Sequence, residues 1–309
     1  MYKHLPSRAL HALAIFYTYV FCTLVFPEAW SVVGAVLIPK VIGAVSSSKF
    51  RAIACLPVAR KLLGYLWLHT LPPMCFQTFQ CGFIPKSHAA NGVFVIRRIT
   101  ELAREWKVPV FVAQLDLKKA FDCVLHSAIV NALQLQQVSL QSVAMLAAIL
   151  KHSTTMISLG HVCAPAIKMH RGLPQGAPES PLLFALVTEM VLRPLLLRWK
   201  DAGWTFDSLH LSAVCYADDV LLVSSSKESP ESMVSDVIEG FAKVGLAVST
   251  EKCHWSCHPA SPEASLSFGG DQVKFEPALT FVGTVLDLNG NDGLAIANRR
   301  AQATKAYFK

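Results

Sequence analysis

The chain has one place where two acidic residues interrupt an otherwise apolar run. Residues 211–214 and 220–223 are short, mostly aliphatic stretches, and Asp218 and Asp219 lie between them. Short apolar runs of this kind predict buried strands. An acidic pair between two such strands fits a tight hairpin turn. Adjacent carboxylates repel each other there, so a nearby cation would help to keep both ionised.

The spacing of apolar residues predicts mixed helix and strand along the rest of the chain. Helices are predicted at 6–26, 57–69, 89–106, 127–135, 140–150, 180–199 and 230–244. Strands are predicted at 31–39, 108–115, 154–157, 166–169, 273–275 and 280–286, and a small-residue loop at 41–49. Ser180, followed by Pro181, is expected to cap its helix, and Gly245 is expected to end the helix before it.

The composition restricts the number of domains, the charge of a partner and the compartment of the protein. The 309 residues suffice for one large domain or two smaller ones, with 53% hydrophobic and 16% charged residues. The formal net charge of +7 favours a polyanionic partner, but only weakly, because the basic residues are scattered along the sequence. Nine cysteines without framework spacing indicate reduced thiols in an intracellular protein, in the nucleus or the cytoplasm.

One segment raises the question of a membrane. Residues 9–26 are almost continuously apolar and long enough to span a bilayer. Tyr17, Tyr19 and the Pro27 that follows favour a buried or amphipathic helix instead, and we expect no membrane contact. A membrane-anchored protein stays an alternative that rests on this segment alone.

Three features together point to a chemistry. Asp116 follows the predicted strand at 108–115, a Gly- and Pro-rich loop at 171–181 leads into a helix, and Asp218-Asp219 forms the acidic hairpin. Nucleotidyl transfer uses two Mg²⁺ ions about 3.5–4 Å apart, which carboxylates from neighbouring strands can bridge. A glycine-rich loop lets the backbone approach a nucleotide, and a helix N-terminus favours phosphate.

The order of these motifs resembles the reverse transcriptase domain of a non-LTR (LINE-type) retrotransposon polyprotein. Residues 115–122 (LDLKKAFD), 171–176 (RGLPQG) and 216–219 (YADD) are similar to motifs A, B and C of that family. Gly245-Leu246 with Lys252 resembles motif D, residues 281–283 resemble the primer-grip region, and residues 80–83 resemble part of the fingers.

The resemblance implies an α+β right-hand polymerase fold, with an antiparallel palm sheet backed by helices. The implied domains are fingers at 1–109 and a palm at 110–284 with a fingers insertion at about 124–170. Residues 285–309 would be the start of a truncated thumb. The thumb is expected to be missing or nearly so.

The resemblance also implies roles for single residues. Asp116, Asp218, Asp219 and Lys252 would be catalytic, and the three carboxylates with the Leu117 carbonyl would bind two Mg²⁺ ions, with Mn²⁺ as a substitute. The partners would be an RNA template, a DNA primer and a dNTP. For Phe121, a gate against the ribose 2′-hydroxyl and simple core packing are equally good interpretations. The remaining implied contacts are with nucleotide and template (Phe121, Gln175, Gly176, Arg51) and with the primer (Phe281, Gly283).

Two alternatives stay open within this interpretation. The chain could be a catalytically weak or inactive nucleic-acid-binding remnant of a retroelement, or a group II intron maturase-type enzyme. Ser249 stands where the family usually has Asn, which weakens the assignment of Lys252. The spacing of Cys253, His254, Cys257 and His258 is compatible with zinc, but Trp255 among them suggests packing and no zinc is expected.

Overall fold

A computed structural model describes residues 5–307 except 41, 42, 44, 47, 48, 78, 160 and 161. The predicted loop at 41–49 therefore lies partly outside the described residues. The chain forms two compact units: the first contains Met1–Cys75 and Phe121–Phe184, and the second contains Phe76–Ala120 and Ala185–Lys309. The implied fingers at 1–109 differ from this division, because residues 76–109 belong to the second unit.

The chain contains both helices and strands, often in consecutive groups of one kind. The helices are α1 Ser7–Thr23, α2 Val58–His69, α3 Ala89–Trp106, α4 Ala120–Cys123, α5 His126–Leu135, α6 Leu140–His152, α7 Ser180–Arg198, α8 Ser229–Lys243 and α9 Asp292–Tyr307. The strands are β1 Val32–Pro39, β2 Phe50–Cys55, β3 Val110–Leu115, β4 Thr154–Leu159, β5 Val162–Cys163, β6 Ile167–Lys168, β7 Trp204–Phe206, β8 Leu209–Leu211, β9 Ala213–Tyr216, β10 Asp219–Ser224, β11 His254–His258, β12 Ser265–Phe268, β13 Asp271–Lys274, β14 Leu279–Phe281 and β15 Thr284–Leu286.

The first unit is built on a mixed sheet in the order β2-β1-β4-β5, with β6 also paired to β4. Strand β1 pairs with β2 in antiparallel and with β4 in parallel orientation. A small cluster of buried side chains joins this sheet to the residues that precede α7: Val33, Ala54, Leu56 and Ala177.

The second unit is built on an antiparallel sheet in the order β11-β3-β10-β9, which α3 and α8 contact. The side chains between α3 and the sheet are almost fully buried, among them Ile96, Val112, Val214, Leu221 and Phe281. The predicted α+β class, with an antiparallel sheet backed by helices, is confirmed.

The seven predicted helices and most of the predicted strands are confirmed, whereas the sequence does not predict β2, β7, β8, β11 and β12. Gly245 ends α8 with φ 82°: its N–H bonds to the Ala242 carbonyl, and the Leu246 N–H bonds to the Phe241 carbonyl. The predicted single strand at 280–286 is wrong. Val282 and Gly283, at φ 48° and 74°, form the turn of a hairpin instead. A valine at positive φ is uncommon, so an apolar run concealed the turn. The Ser180 hydroxyl donates to the Pro174 carbonyl oxygen at 2.9 Å, a bond that the capping prediction did not include.

The described residues contain one helix long and apolar enough to cross a membrane, and it is α7 rather than the segment at 9–26. More than half of the apolar stretch of this helix is buried within the protein. A core helix of a soluble protein can have the same length and apolar composition.

The segment at residues 79–82 hydrogen-bonds to β9, the edge strand of the second sheet. The Cys81 N–H bonds to the Cys215 carbonyl at 2.8 Å, and the Cys215 N–H bonds to the Phe79 carbonyl at 2.9 Å. A Cβ atom on Gly82 would lie only 2.5 Å from the backbone nitrogen of Ala217. Gly82 is therefore the residue that allows this segment to approach the acidic hairpin.

We predict that Gly82→Ala destabilises the protein by about 1–3 kcal/mol, because the added methyl group must displace backbone atoms of the β9–β10 turn. Chemical denaturation measures the loss, and hydrogen exchange of the amides at 213–216 localises it. Gly34→Ala is the matched control, since its added Cβ would meet nothing within 4 Å. Equal stability of the two variants would contradict the packing argument.

Candidate active site

The acidic hairpin forms as the sequence predicts. Strands β9 and β10 pair in antiparallel register, with Tyr216 opposite Asp219, and Ala217 and Asp218 form the two-residue turn. Ala217 has φ 57°, a conformation that costs energy for a residue with a Cβ atom and that occurs often at functional sites. The turn leaves Asp218 exposed and Asp219 half-buried.

Strand register brings Asp116 to the same end of the sheet. Strand β10 pairs with β3 so that Val220 lies opposite Leu115. Continuing this register by one residue places Asp116 opposite Asp219. Directly opposed side chains in an antiparallel pair have Cβ atoms about 4.5–5.5 Å apart, and like charges at such positions destabilise the sheet. Three carboxylates therefore meet where the apolar strands end.

The electrostatics of Asp219 reflect this arrangement. Its pKa is raised to about 6, first by burial, then by the negative charge of Asp218, and to a smaller extent by Asp116. The backbone N–H of Val282, which donates to the Asp219 carboxylate, opposes this increase. The second of these causes is the repulsion between adjacent carboxylates that the sequence predicts at the hairpin.

The chain beyond Asp116 is held by the segment at 247–249. The Ser249 N–H bonds to the Asp116 carbonyl at 2.7 Å, and the Lys118 N–H bonds to the Ala247 carbonyl at 2.8 Å. These bonds flank Leu117, so this pairing does not use the Leu117 carbonyl. The Ser249 side chain is buried, and its backbone makes the link that positions the aspartate.

Lys252 lies at the same end of the sheet. Its ammonium Nζ is 3.2 Å from Asp116 Oδ2, and the lysine side chain is 69% exposed. Both residues line an open cleft of about 510 Å³, together with Asp219, Glu251 and Thr280. The cleft thus brings Lys252 together with two of the three predicted catalytic carboxylates.

The two predicted primer-grip residues differ in exposure. Phe281 is fully buried, and a Cβ atom on Gly92 of α3 would lie 2.8 Å from its ring. Gly283 is exposed in the turn of the β14–β15 hairpin. Between them, Val282 directs its N–H at Asp219. Sequence reasoning did not find this contact, because a backbone donor leaves no signal in residue types.

The donor set of the second unit fits magnesium in its chemistry. Mg²⁺ prefers carboxylate, carbonyl and water oxygens, and Asp116, Asp218, Asp219 and the Leu117 carbonyl are donors of this kind. Asp218 and Asp116 repel the charged form of Asp219, and a bound cation would offset this repulsion. In the described part of the chain, no three His, Cys, Asp or Glu side chains are already arranged around a single metal position.

The first unit contains the four predicted nucleotide and template residues. The Gln175 carbonyl accepts a bond from the Ala54 N–H of β2 at 2.7 Å. Gly176 has φ 123°, and a Cβ atom there would lie 2.7 Å from the Ala54 carbonyl oxygen. Arg51 is exposed on the same strand. The glycine-rich loop is therefore bound along β2, and Gly176 permits the close approach.

Phe121 is also in the first unit, in contact with the helix that follows the loop. Its ring stacks on Phe184 with 4.7 Å between centroids and 20° between planes. The Leu173 N–H bonds to the Phe121 carbonyl at 2.6 Å. Phe184 is fully buried whereas Phe121 is half-buried, so Phe121 covers the core and still presents part of its ring.

Sequence reasoning missed a buried ion pair that anchors this loop. Arg60 Nη2 of α2 lies 2.5 Å from Glu179 Oε1, and both side chains are 4% exposed. Glu179 Oε2 lies where Gly64 lacks a side chain, 2.3 Å from the position of an added Cβ. Neither Arg60 Nη1 nor Glu179 Oε2 has a hydrogen-bond partner among the described residues. A separation of 119 residues hides the pair from sequence patterns.

The Cys- and His-containing segment is strand β11. Trp255 is fully buried and its indole N–H donates to the Val273 carbonyl at 2.9 Å, which confirms the predicted packing role. Burial raises the pKa of the Cys253 and Cys257 thiols. His254 lies 3.9 Å from Glu276, and His258 Nδ1 lies 3.0 Å from Asn289.

Comparison with known proteins supports the same interpretation of the site. The model of the family "Reverse transcriptase (RNA-dependent DNA polymerase)" matches residues 38–284. The chain is 30% identical over 224 residues to the Pol polyprotein of retrotransposable element R2 from Nasonia vitripennis, covering 71% of this chain and 21% of that protein. It is 24% identical over 228 residues to the Pol polyprotein of element R2DM from Drosophila melanogaster, covering 74% and 21%. The chain thus spans about a fifth of the length of these relatives.

The fold is similar to that of a solved telomerase from Candida tropicalis in complex with the TWJ fragment of telomeric RNA. The TM-score is 0.57 at 13% sequence identity, covering 90% of this chain and 47% of that chain. At this identity, the likeness shows the fold alone.

We predict that Asp219→Asn makes stability less dependent on pH. The folded-state pKa of about 6 exceeds the ordinary value of 3.8, so the wild-type protein loses stability as pH rises through this interval. The variant should be more stable than wild type at pH 8 by about 1 kcal/mol, a figure that allows for solvent screening of the half-exposed group. At pH 4 this difference should be much smaller.

Thermal melts at the two pH values measure this effect. Asp201→Asn is the control, because the same chemical change is then made at an exposed residue. An Asp219→Asn effect of the same size at pH 4 and pH 8 would refute the electrostatic explanation.

We predict that Arg60→Met destabilises the protein by about 3–5 kcal/mol, because it leaves the Glu179 carboxylate buried without its cation. The double variant Arg60→Met/Glu179→Leu should recover most of this loss, since both charges are then removed. Denaturant titration measures the three proteins. Arg98→Met breaks an exposed pair with Glu101 and should change stability by less than about 0.5 kcal/mol. A double variant as unstable as Arg60→Met would show that the pair itself is needed.

Proposed function

Because the chain belongs to the reverse transcriptase family, we propose that it adds deoxynucleotides to the 3′-end of a DNA primer on an RNA template. Its relatives are R2 elements, which confirms the resemblance to non-LTR retrotransposons. The observation that carries the proposal is the meeting of Asp116, Asp218 and Asp219 at one end of the second sheet, where burial and mutual repulsion raise the pKa of Asp219.

The three carboxylates and the Leu117 carbonyl would hold two Mg²⁺ ions, with Mn²⁺ as a substitute. Bound there, the ions would supply activation of the primer 3′-hydroxyl and charge neutralisation at the leaving pyrophosphate. The protein contributes position. The β3–β10 register, which pairs Leu115 with Val220, would bring Asp116 to Asp219, and the Val282 N–H would orient the Asp219 carboxylate.

Lys252 would act on the leaving group. Its ammonium is exposed on a flexible stem and is paired with Asp116. An ammonium so placed can turn to a phosphate oxygen and donate charge-assisted hydrogen bonds, or pass a proton to the pyrophosphate. Phosphoryl transfer depends mainly on such positioning and charge neutralisation.

The glycine-rich loop would present Gln175 and Gly176 to the incoming dNTP and the template. Its backbone is bonded to β2 through the Gln175 carbonyl, which would help to hold the loop in position. Exposed Arg51 on the same strand would contact the triphosphate. The partly exposed ring of Phe121, stacked on Phe184, would exclude the ribose 2′-hydroxyl by shape. We place this activity inside the cell, in the nucleus or the cytoplasm, because the nine cysteines lack the spacing of a disulfide framework.

We predict that the wild-type chain extends a DNA primer annealed to RNA, and that Asp218→Ala lowers the rate by about 10²–10³-fold. Loss of a metal ligand removes several kcal/mol of transition-state stabilisation. Single-nucleotide primer extension with Mg²⁺ measures the rates. Asp201→Ala is the control, since it removes one exposed carboxylate from the same unit.

A metal-binding measurement separates loss of ligand from loss of fold. Mg²⁺ should raise the melting temperature of the wild type and of Asp201→Ala, but much less that of Asp218→Ala. Full extension activity of Asp218→Ala would refute the site. Template binding without extension by the wild type would instead support the non-catalytic remnant.

A further inference from the structure

The net charge of the chain lies entirely in one unit. The first unit contains ten Lys and Arg and three Asp and Glu residues, a balance of +7, whereas the second contains eighteen of each. One of the three acids, Glu179, is buried against Arg60. The basic residues that look scattered along the sequence therefore give one unit a strongly positive surface.

Part of this charge lines a cleft in the first unit. The cleft has a volume of about 500 Å³ and lies between α5, α6 and the segment that follows β6. Four basic side chains line it: His126 of α5, Lys151 of α6, Lys168 of β6 and His170. Asn131 adds a polar group, and Val130 and Leu150 give apolar surface. None of the described lining residues is acidic.

The lysines of the cleft are open to solvent. Lys151, Lys168 and His170 are exposed, and none of the salt bridges among the described residues involves them. His126 Nε2 lies 3.1 Å from the Gly172 carbonyl oxygen and therefore carries the hydrogen of that bond. Burial lowers the pKa of His126, so the positive charge of the cleft comes from Lys151 and Lys168. An anionic ligand between these two ammonium groups would lower their electrostatic energy.

The cleft continues towards the glycine-rich loop. His126, Leu150 and Met169 also line a smaller cavity, which reaches Gly172 and Gln175. The hydrogen bond from His126 to Gly172 joins the cleft wall to the loop backbone. A strand that lies in the cleft would thus lead to the loop that we assign to nucleotide and template.

We propose that this cleft binds the phosphate backbone of single-stranded RNA, with Lys151 and Lys168 each contacting a phosphate. This assignment rests on the proposed function, because the strand would be the template. The cleft has the size of a small-molecule site, which admits one or two nucleotides of an extended strand and not a duplex. The mixture of cationic side chains and apolar surface suits phosphates and bases together.

The test is the salt dependence of RNA binding to the whole chain. Fluorescence anisotropy with a labelled single-stranded RNA gives Kd between 50 and 200 mM salt for the wild type and for Lys151→Gln/Lys168→Gln. Loss of two phosphate contacts should reduce the slope of log K against log salt by about 1.4 and weaken binding about tenfold.

Two further variants serve as controls. Lys151→Arg/Lys168→Arg retains the charge and should bind as the wild type does. Lys107→Gln/Lys200→Gln removes the same charge from the second unit and should leave the slope almost unchanged.

An unchanged slope in the Gln double variant would overturn the assignment, and so would an equal decrease in the control pair from the second unit. A slope that falls only in the Gln double variant, while its melting temperature matches that of the wild type, would establish it. Primer extension is measured separately. A wild type that binds RNA through the cleft but extends no primer would refute the proposed activity and leave the cleft assigned.

Discussion

The central constraint in this protein is the meeting of three carboxylates at the end of an apolar sheet. Strand β10 is almost fully buried and β3 is mostly buried, and their register pairs Val220 with Leu115, the neighbours of Asp219 and Asp116. The register of a buried strand is strongly specified, because a shift by one residue would turn its apolar side chains to solvent. Hydrophobic burial therefore stabilises an arrangement that electrostatic repulsion alone would disperse.

Backbone groups, more than side chains, hold this arrangement from three directions. Residues 79–82 bond to β9, the Ser249 N–H bonds to the Asp116 carbonyl, and the Val282 N–H bonds to the Asp219 carboxylate. Two of these contacts need a missing side chain or an unusual local conformation, at Gly82 and at Val282 with φ 48°. Local strain of this kind persists only where the surrounding structure over-determines it.

The two units differ in how their charged residues are distributed. The second has equal numbers of acidic and basic residues and concentrates negative charge at one site. The first has an excess of seven positive charges and buries one of its few acids in an ion pair that fixes the glycine-rich loop. The carboxylates at Asp116, Asp218 and Asp219 and the excess of positive charge therefore belong to different units.

The sequence alone determined most of the helices, the central strands and the motifs, because these depend on local patterns. Short apolar runs predicted β3, β9 and β10, and helical periodicity predicted α3 to its terminal residues. The pair Asp218-Asp219 between two apolar runs predicted the hairpin. Only the tertiary structure decided the contacts that join distant segments: Arg60 with Glu179, Val282 with Asp219, and the lysines of α6 and β6 in one cleft. Such contacts depend on packing between residues far apart in the chain and on backbone groups that all residue types share, so no local pattern encodes them.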